Sequence, residues 1–447
     1  MKTSDANNAG LLIEQFDGNM LYCPEMRSWY GWDGKRWVPD SGQIYQVAKR
    51  VAGVWDNEAK ECDNTTRKNL LKFSTYCESL VGLKAMIHLA QMDADIQINT
   101  NAFDRNPMVL NADNGMIDME AMKYVDFDSR EFITHKADVS YVRGARNKIW
   151  ESFLEDIIPS EETRLFVQAA VGYSVTGLTN EDKVFILFGD GCNGKSTFVS
   201  TIINLLGTYA SQASSDLLLR KRSSGPRNDM FVLMGKRFVA ATETGESCQL
   251  DENVIKQMTS GERVSVNPKY KSQLEFTPTW KTWLSTNHEP SITGTDFAIR
   301  RRLLLIPFNV QIPSNKIDVK LRTYLANNYE GRSGILNWIL DGVQLWRDNG
   351  LLLPEQVLNF TKCYHDDQDS IGHFVTERCI VEEGAMVAKN TLFSAYVAYC
   401  KQVNEKIRTK NAFGRYFKSE NFSEVRDAQS RCWVGVRLDD RIEIYSK

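Results

Sequence analysis

Residues 184–196 read VFILFGDGCNGKS, an apolar run that passes without a break into a glycine-rich loop ending in Lys195 and Ser196. Val184 to Phe188 predict a strand buried on both faces, because five large apolar residues in a row leave no polar side for water. The loop has the spacing G-x-x-x-x-G-K-S and stands where that strand hands over to a helix predicted over residues 197–206. Chemistry explains the spacing. Glycines let successive backbone N–H groups turn inward around phosphate oxygens, and the helix adds its positive N-terminal end. Lys195 reaches the outer phosphates, and the Ser196 hydroxyl suits Mg²⁺. Gly189, Asp190, Gly191, Cys192, Asn193, Gly194, Lys195, Ser196 and Thr197 are therefore candidate nucleotide-binding residues. The loop implies a nucleotide and does not say what its hydrolysis would drive.

Outward from the loop, apolar strands are predicted at 238–241, 282–285 and 303–308, separated by helix-sized intervals. That is the pattern of an α/β domain with a largely parallel core sheet. Three of these strands end or begin in residues that suit phosphate chemistry. The stretch 237–246 (RFVAATETGE) ends in Glu243 and Glu246, one of which could hold Mg²⁺ and the other orient water; a solvated strand end reads equally well. The stretch 283–287 (WLSTN) ends in Asn287, an amide able to touch water and terminal phosphate, or simply to form a turn. Arg300, Arg301 and Arg302 precede the last strand, and arginine supplies a fixed charged fork for a phosphoryl group; the bland alternative is a solvated basic patch.

Composition bounds the rest. With 447 residues and 42% hydrophobic content the chain should hold two to four packed domains. No apolar stretch approaches a membrane span and residues 1–10 are polar, so a cytoplasmic, non-membrane protein is expected. Nine scattered cysteines without a C-x-x-C pair argue for reduced, mostly buried thiols and against a structural zinc. A net charge of −3 offers no global attraction to nucleic acid, so phosphate-binding surfaces must be local. One is residues 401–437, with nine basic residues against four acidic ones.

The N-terminal 1–145 is expected to be a mixed α+β domain, with strand-like pieces around Trp29, Trp32 and Trp37, a turn at Asp33-Gly34, and helices around 44–55 and 66–90. Residues 146–315 would be the α/β core, opened by helical spacing over 147–176. A helical extension follows over 316–368, with Leu336, Ile339, Val343 and Trp346 on one face and a stop at Asn349-Gly350. The charged stretch 365–369 reads as a linker. Beyond it, helices at 391–401 and 412–418 and a hairpin of 433–438 with 441–445 would make 369–447 a winged-helix-like domain.

The order of cradle, Glu243/Glu246, Asn287 and Arg301/Arg302 resembles the superfamily 3 helicases of the phage and plasmid primase type, including the helicase part of the poxvirus primase-helicase. The intervening text is similar too: LDENVIKQMTSGE (250–262), FTPT (276–279), TNHEP (286–290), the G-T-D-x-A-I of 294–299, and upstream WYGWDGKRW (29–37). The resemblance implies a P-loop, AAA+-like core working as a ring, most often a hexamer, that hydrolyses ATP with Mg²⁺ and moves 3′ to 5′ on single-stranded or forked DNA. It implies Lys195, Ser196 and Glu243 on the nucleotide and metal, Glu246 or Glu243 on water, Asn287 as γ-phosphate sensor, and Arg301 or Arg302 reaching in from the next subunit. Arg300 stands where relatives often carry an aromatic residue, which leaves the choice among the arginines open.

Residues 264–276 (VSVNPKYKSQLEF) read as two strands around an Asn-Pro turn. The resemblance makes its tip, Lys269, Tyr270 and Lys271, the DNA-gripping finger of the central channel; an exposed hairpin with two lysines is the plain alternative. No polymerase-type primase domain or zinc-ribbon pattern is seen, so priming is expected of a separate primase or initiator partner. An ATP-dependent origin-binding remodeller without processive unwinding is the competing reading.

Overall fold

The apolar run at 184–188 forms strand β1 (Val184–Phe188), inside a sheet of five. The others are β2 (Ala210–Ser214), β3 (Phe238–Thr242), β4 (Lys281–Thr286) and β5 (Leu303–Pro307). Their spatial order is β5-β1-β4-β3-β2 and every pairing is parallel. The structure, a computed structural model, describes residues 2–219, 228–242, 249–267, 273–292, 297–367, 369–403, 405, 407–426 and 430–439.

Side chains alternate across this sheet, as the pleat requires. Phe185, Leu187, Phe238, Ala240, Trp283, Leu304 and Ile306 face one core, shared with the helices Lys148–Ile157, Glu161–Val175, Lys195–Leu206 and Tyr329–Asn349. Val184, Ile186, Val239, Ala241, Leu284 and Leu305 face the other, shared with helix Glu252–Thr259 and the aromatic residues Tyr30 and Trp37 of the N-terminal hairpin. Both faces are covered, which is why strands β1 and β5 can be apolar at every position. Strand β2 has no such signal in its sequence, Ala-Ser-Gln-Ala-Ser, because it is the edge and only Ala210 is buried.

The first ninety-odd residues close a separate core around Trp55 from the helices Asp5–Glu14, Gln43–Lys60, Asn64–Glu78 and Leu80–Ala90. The helical stretch expected over 66–90 breaks at Ser79, whose hydroxyl accepts from Gly82 N at 3.1 Å and starts the last helix afresh. Leu110, Ile117, Ala137 and Val139 pack with the sheet instead, as do Ile335, Leu336, Ile339 and Val343 of the long helix at 329–349. In terms of packing, then, Leu110, Ile117, Ala137 and Val139 and the helix Tyr329–Asn349 are continuous with the α/β core.

The C-terminal part departs from expectation in one place. His365 and Asp369, in the stretch read as a linker, are docked instead: His365 is buried with its Nε2 3.1 Å from the Arg300 carbonyl, and Asp369 caps helix Ser370–Arg378. Charge alone cannot tell a solvated linker from a docked helix end. The strand Arg431–Leu438 pairs with Ser423–Arg426 and with Cys379–Ala388 in a three-stranded antiparallel sheet, while 441–445 lies outside the described residues. Ser423–Arg426 is exposed at every position and so carries no apolar alternation to read. The helices Lys389–Val403 and Lys410–Ser419 stand where expected, around Phe374, Tyr396, Phe413, Phe417 and Trp433. Among the described residues no helix is long and apolar enough to cross a membrane. None of their cysteines is bridged; Cys23, Cys77, Cys400 and Cys432 are buried, but Cys192 and Cys363 are exposed, so the thiols are less uniformly buried than expected.

Helices Glu161–Val175 and Tyr329–Asn349 cross at two glycines. A methyl group on Gly342 would lie 2.2 Å from the Gln168 carbonyl oxygen, and one on Gly172 would lie 2.1 Å from the Gly342 carbonyl carbon. Backbone cannot step aside as a flexible side chain can. Gly342→Ala should therefore destabilise by about 1–3 kcal/mol, read as a lowered thermal midpoint. Gly53→Ala, in a helix where an added methyl meets nothing within 4 Å, should raise stability by roughly 0.5–1 kcal/mol in the same measurement.

Candidate nucleotide-binding site

The strand order decides where a ligand can sit. Strand β1 leads away across the sheet to β2, whereas its neighbour β4 leads back over β1 to β5, so the connections leave these two strands in opposite directions. Such a switch point opens a crevice beyond the carboxyl ends of the strands, the usual ligand site of an open α/β sheet. The register pairs Thr286 with Phe188 and Ser285 with Thr242, which brings Asn287 level with Gly189 at the mouth of that crevice.

The glycine-rich loop is shaped by left-handed backbone. Gly189, Gly191 and Gly194 have φ of 157°, 95° and 83°, and Cys192 has 48°. A methyl group on Gly189 would lie 2.3 Å from the Phe308 carbonyl oxygen, and one on Gly194 would lie 2.6 Å from Ile157, so neither site admits a side chain. Asn193 ties the loop to β5 by donating from Nδ2 to the Phe308 carbonyl at 3.0 Å, and Ile312 N donates to the Cys192 carbonyl at 2.8 Å. Helix Lys195–Leu206 starts directly from Gly194, so its unpaired N–H groups and positive end face the crevice.

Lys195 is 4% exposed. Its ammonium donates to the Gly189 carbonyl and, at 3.1 Å, to Oδ1 of Asn287. Both are neutral oxygens. Burial pulls its pKa down to about 8, with the Asp190 carboxylate acting in the other direction. Ser196, Thr197, Thr242 and Ser285 line the same cavity of about 670 Å³, and its far wall is apolar, from Phe153 and Ile157 on one side and Val310, Ile312, Ile317 and Leu321 on the other. Asp156 and Asp318 stand on that wall. This wall was missed from sequence, where the 148–157 helix reads simply as core and the stretch after β5 has no motif. Glu243 and Glu246 lie outside the described residues, as do Lys269, Tyr270 and Lys271; the strands carrying that hairpin, Val264–Val266 and Leu274–Phe276, pair antiparallel as expected. Among the described residues no group of three or more His, Cys, Asp or Glu is placed to hold a metal.

The arginines are at the other end of the sheet. They precede β5, whose Leu303 pairs with Val184, so about five residues of strand, roughly 17 Å at 3.3 Å each, separate them from their own phosphate loop. Arg302 is 7% exposed and held by its own fold: Nε donates to Thr259 Oγ1 at 2.9 Å, Nη1 to the Ala298 carbonyl at 2.6 Å, and Nη2 lies 3.6 Å from Asp182. Arg302, one of the two arginines expected to reach a neighbouring subunit, is therefore buried and bonded within its own fold. Arg300 pairs with Asp369 at 3.5 Å. Arg301 has the most exposed side chain of the three, at 46%, and meets Asp182 at 3.0 Å.

The family described as "D5 N terminal like" matches residues 9–159, and a family described only as of unknown function (DUF5906) matches residues 187–302. A protein named as a helicase in Acanthamoeba polyphaga mimivirus is 23% identical over 435 residues, 87% of this chain and 45% of that protein. A protein named as a primase in African swine fever virus (isolate Warthog/Namibia/Wart80/1980) is 24% identical over 330 residues, 69% of this chain and 34% of that protein. The chain thus spans less than half the length of these relatives. The apo C-terminal region of NrS-1 superposes with a TM-score of 0.54 at 11% identity, covering 98% of this chain and 100% of that one, which is a likeness of fold.

A buried ammonium at the crevice would make the binding of a phosphate-bearing ligand depend on pH. Phosphate oxygens favour the charged form, so binding above pH 8 takes up a proton and weakens as pH rises, approaching tenfold per pH unit. Titrating nucleotide affinity from pH 7 to pH 10 by calorimetry in two buffers of different ionisation heat should show this uptake, and a flat profile would contradict the assignment. Because Lys195 holds fewer protons in the fold than unfolded between about 8 and its ordinary value, its contribution to stability rises across that window.

Proposed function

From a chain that carries the D5 N terminal like and DUF5906 domains and whose relatives are named as helicases and primases of large DNA viruses, we propose an ATP-driven DNA motor of the superfamily 3 type, working as a ring in DNA replication. The observation that carries the proposal is the contact between Lys195 and Asn287 across the β1/β4 crevice, with the arginines at the opposite end of the same sheet. Lys195 binds the outer phosphates; Asn287, already bonded to it, registers whether a terminal phosphate is present. The donor set fits ATP and Mg²⁺: a buried ammonium bonded, among the described residues, to neutral oxygens, a helix N-terminus, and the Ser196 hydroxyl in the cavity. When bound, Mg²⁺ would offset phosphate charge, held by Ser196 with Glu243 as the carboxylate partner. Glu246, or Glu243 itself, orients water. The apolar wall takes the base.

Arg301 is too far from its own loop to act there, so it serves the loop of a neighbouring copy. A head-to-tail contact of this kind closes into a ring, for which six subunits is our reading. Lys269, Tyr270 and Lys271, at the tip of the hairpin 264–276, are proposed to grip single-stranded DNA by charge and stacking. The C-terminal unit, helix, strand, two helices and two strands, is read as a winged helix whose Lys410–Ser419 helix presents Arg415 and Lys418 to solvent for backbone contacts.

ATP hydrolysis should rise on adding single-stranded DNA and fall by at least a hundredfold in Lys195→Ala. Lys195→Ala and Arg301→Ala subunits, each reduced to a small residual rate alone, should recover roughly a quarter of the wild-type rate when mixed equally, since half of the intact loops then face an intact arginine. DNA-independent hydrolysis by single subunits, or no recovery on mixing, would refute the ring. Hydrolysis without displacement of a forked duplex would favour an origin remodeller.

A further inference from the structure

The arginine cluster is gripped from the entry of the neighbouring strand. Residue 182, in the turn before β1, adopts left-handed backbone with φ of 56°, which turns its carboxylate toward β5. One oxygen, Oδ2, lies 3.0 Å from Arg301 Nη2 and 3.6 Å from Arg302 Nη2. The next residue, Lys183, donates from Nζ to the Arg301 carbonyl at 2.7 Å, and Val184 N donates to the Arg302 carbonyl at 2.7 Å. Main chain and side chain of 182–184 thus hold both arginines. The two are not equivalent. Arg302 is fixed by Thr259, at the end of helix Glu252–Thr259, and by the Ala298 carbonyl, whereas Arg301 extends into solvent from the shared carboxylate.

Resting on the reading that Arg301 acts across a subunit seam, we propose that Asp182 and Arg302 are positioning residues that hold the Arg301 guanidinium ready for the neighbour's phosphate. A free arginine on a surface samples many rotamers, and catalysis gains when the group is already placed. Asp182 is suited to the task because one carboxylate cannot neutralise two guanidinium groups. The buried Arg302 anchors the carboxylate, and Arg301 is orientated while the pair keeps a net positive charge for the anion. Removing the carboxylate leaves Arg301 present but unplaced.

The test uses the assembled protein with DNA. Asp182→Ala should lower kcat by roughly tenfold to hundredfold with little change in the KM for ATP. It should cause no further loss when added to Arg301→Ala, and Asp182→Glu should restore part of the rate. Particle mass and thermal midpoint are measured alongside, and Asp182→Asn, which keeps the shape and one acceptor oxygen, replaces alanine if assembly fails. A wild-type kcat in the Asp182 variants beside a lost kcat in Arg301→Ala would overturn the positioning role and leave the seam standing. Losses from Asp182→Ala and Arg301→Ala that multiply would do the same. If mixed Lys195→Ala and Arg301→Ala subunits recover nothing, the seam itself fails and the role of Asp182 with it.

Discussion

A lysine ammonium held almost out of water by neutral oxygens is electrostatically incomplete, and the rest of the site is arranged around that fact. Desolvation disfavours the charge, the Gly189 carbonyl and Asn287 amide oxygen offset this with dipoles, and the Asp190 carboxylate favours the charged form without restoring the ordinary pKa. An anion arriving at the crevice supplies what is lacking. The glycine loop can close this tightly because three of its residues are in left-handed backbone with no side chain, and because Asn193 and Ile312 pin it to β5 and the segment after it.

The same parallel sheet keeps two kinds of cation apart. Lys195 sits at the carboxyl ends of the strands and Arg300, Arg301 and Arg302 at the amino ends, with a strand length between them. Other cations at the amino ends have structural work. Arg237 and Lys281, 3% and 2% exposed, donate to the Val175 and Thr176 carbonyls at the end of helix Glu161–Val175, where a positive charge favours the helix dipole. Burial pushes the Lys281 ammonium well below its ordinary pKa, and Tyr173 lies beneath it at 4.9 Å. At the amino ends, then, Arg237, Lys281 and Arg302 are buried within the fold, whereas Arg301 is exposed.

The C-terminal part is joined to both ends of this arrangement. Tyr364 donates to the Pro290 carbonyl at 2.6 Å and Arg408 to the Ile292 carbonyl at 2.8 Å, on the segment that leaves Asn287. His365 and Asp369 hold Arg300. The segment that follows Asn287 and the residues that precede β5 are therefore in contact with one and the same C-terminal segment.

By itself the sequence determined the strand–loop–helix at 184–206, the parallel strands β3 to β5 and the place of Asn287, because these signals are local: unbroken apolar runs, glycine spacing, and a polar residue where a run stops. It also located the long helix ended by Gly350, whose φ of 67° is one that glycine tolerates best. Tertiary structure alone decided what depends on partners distant in the chain. The edge strand β2, the apolar wall after β5, the docking of His365 and the pairing of 431–438 with 379–388 carry no local mark, since each exists only by contact with residues far along the sequence. The three consecutive arginines show this most sharply. In the sequence they are equivalent; burial against Thr259, a pairing with Asp369 and a half share of Asp182 give them three different surroundings.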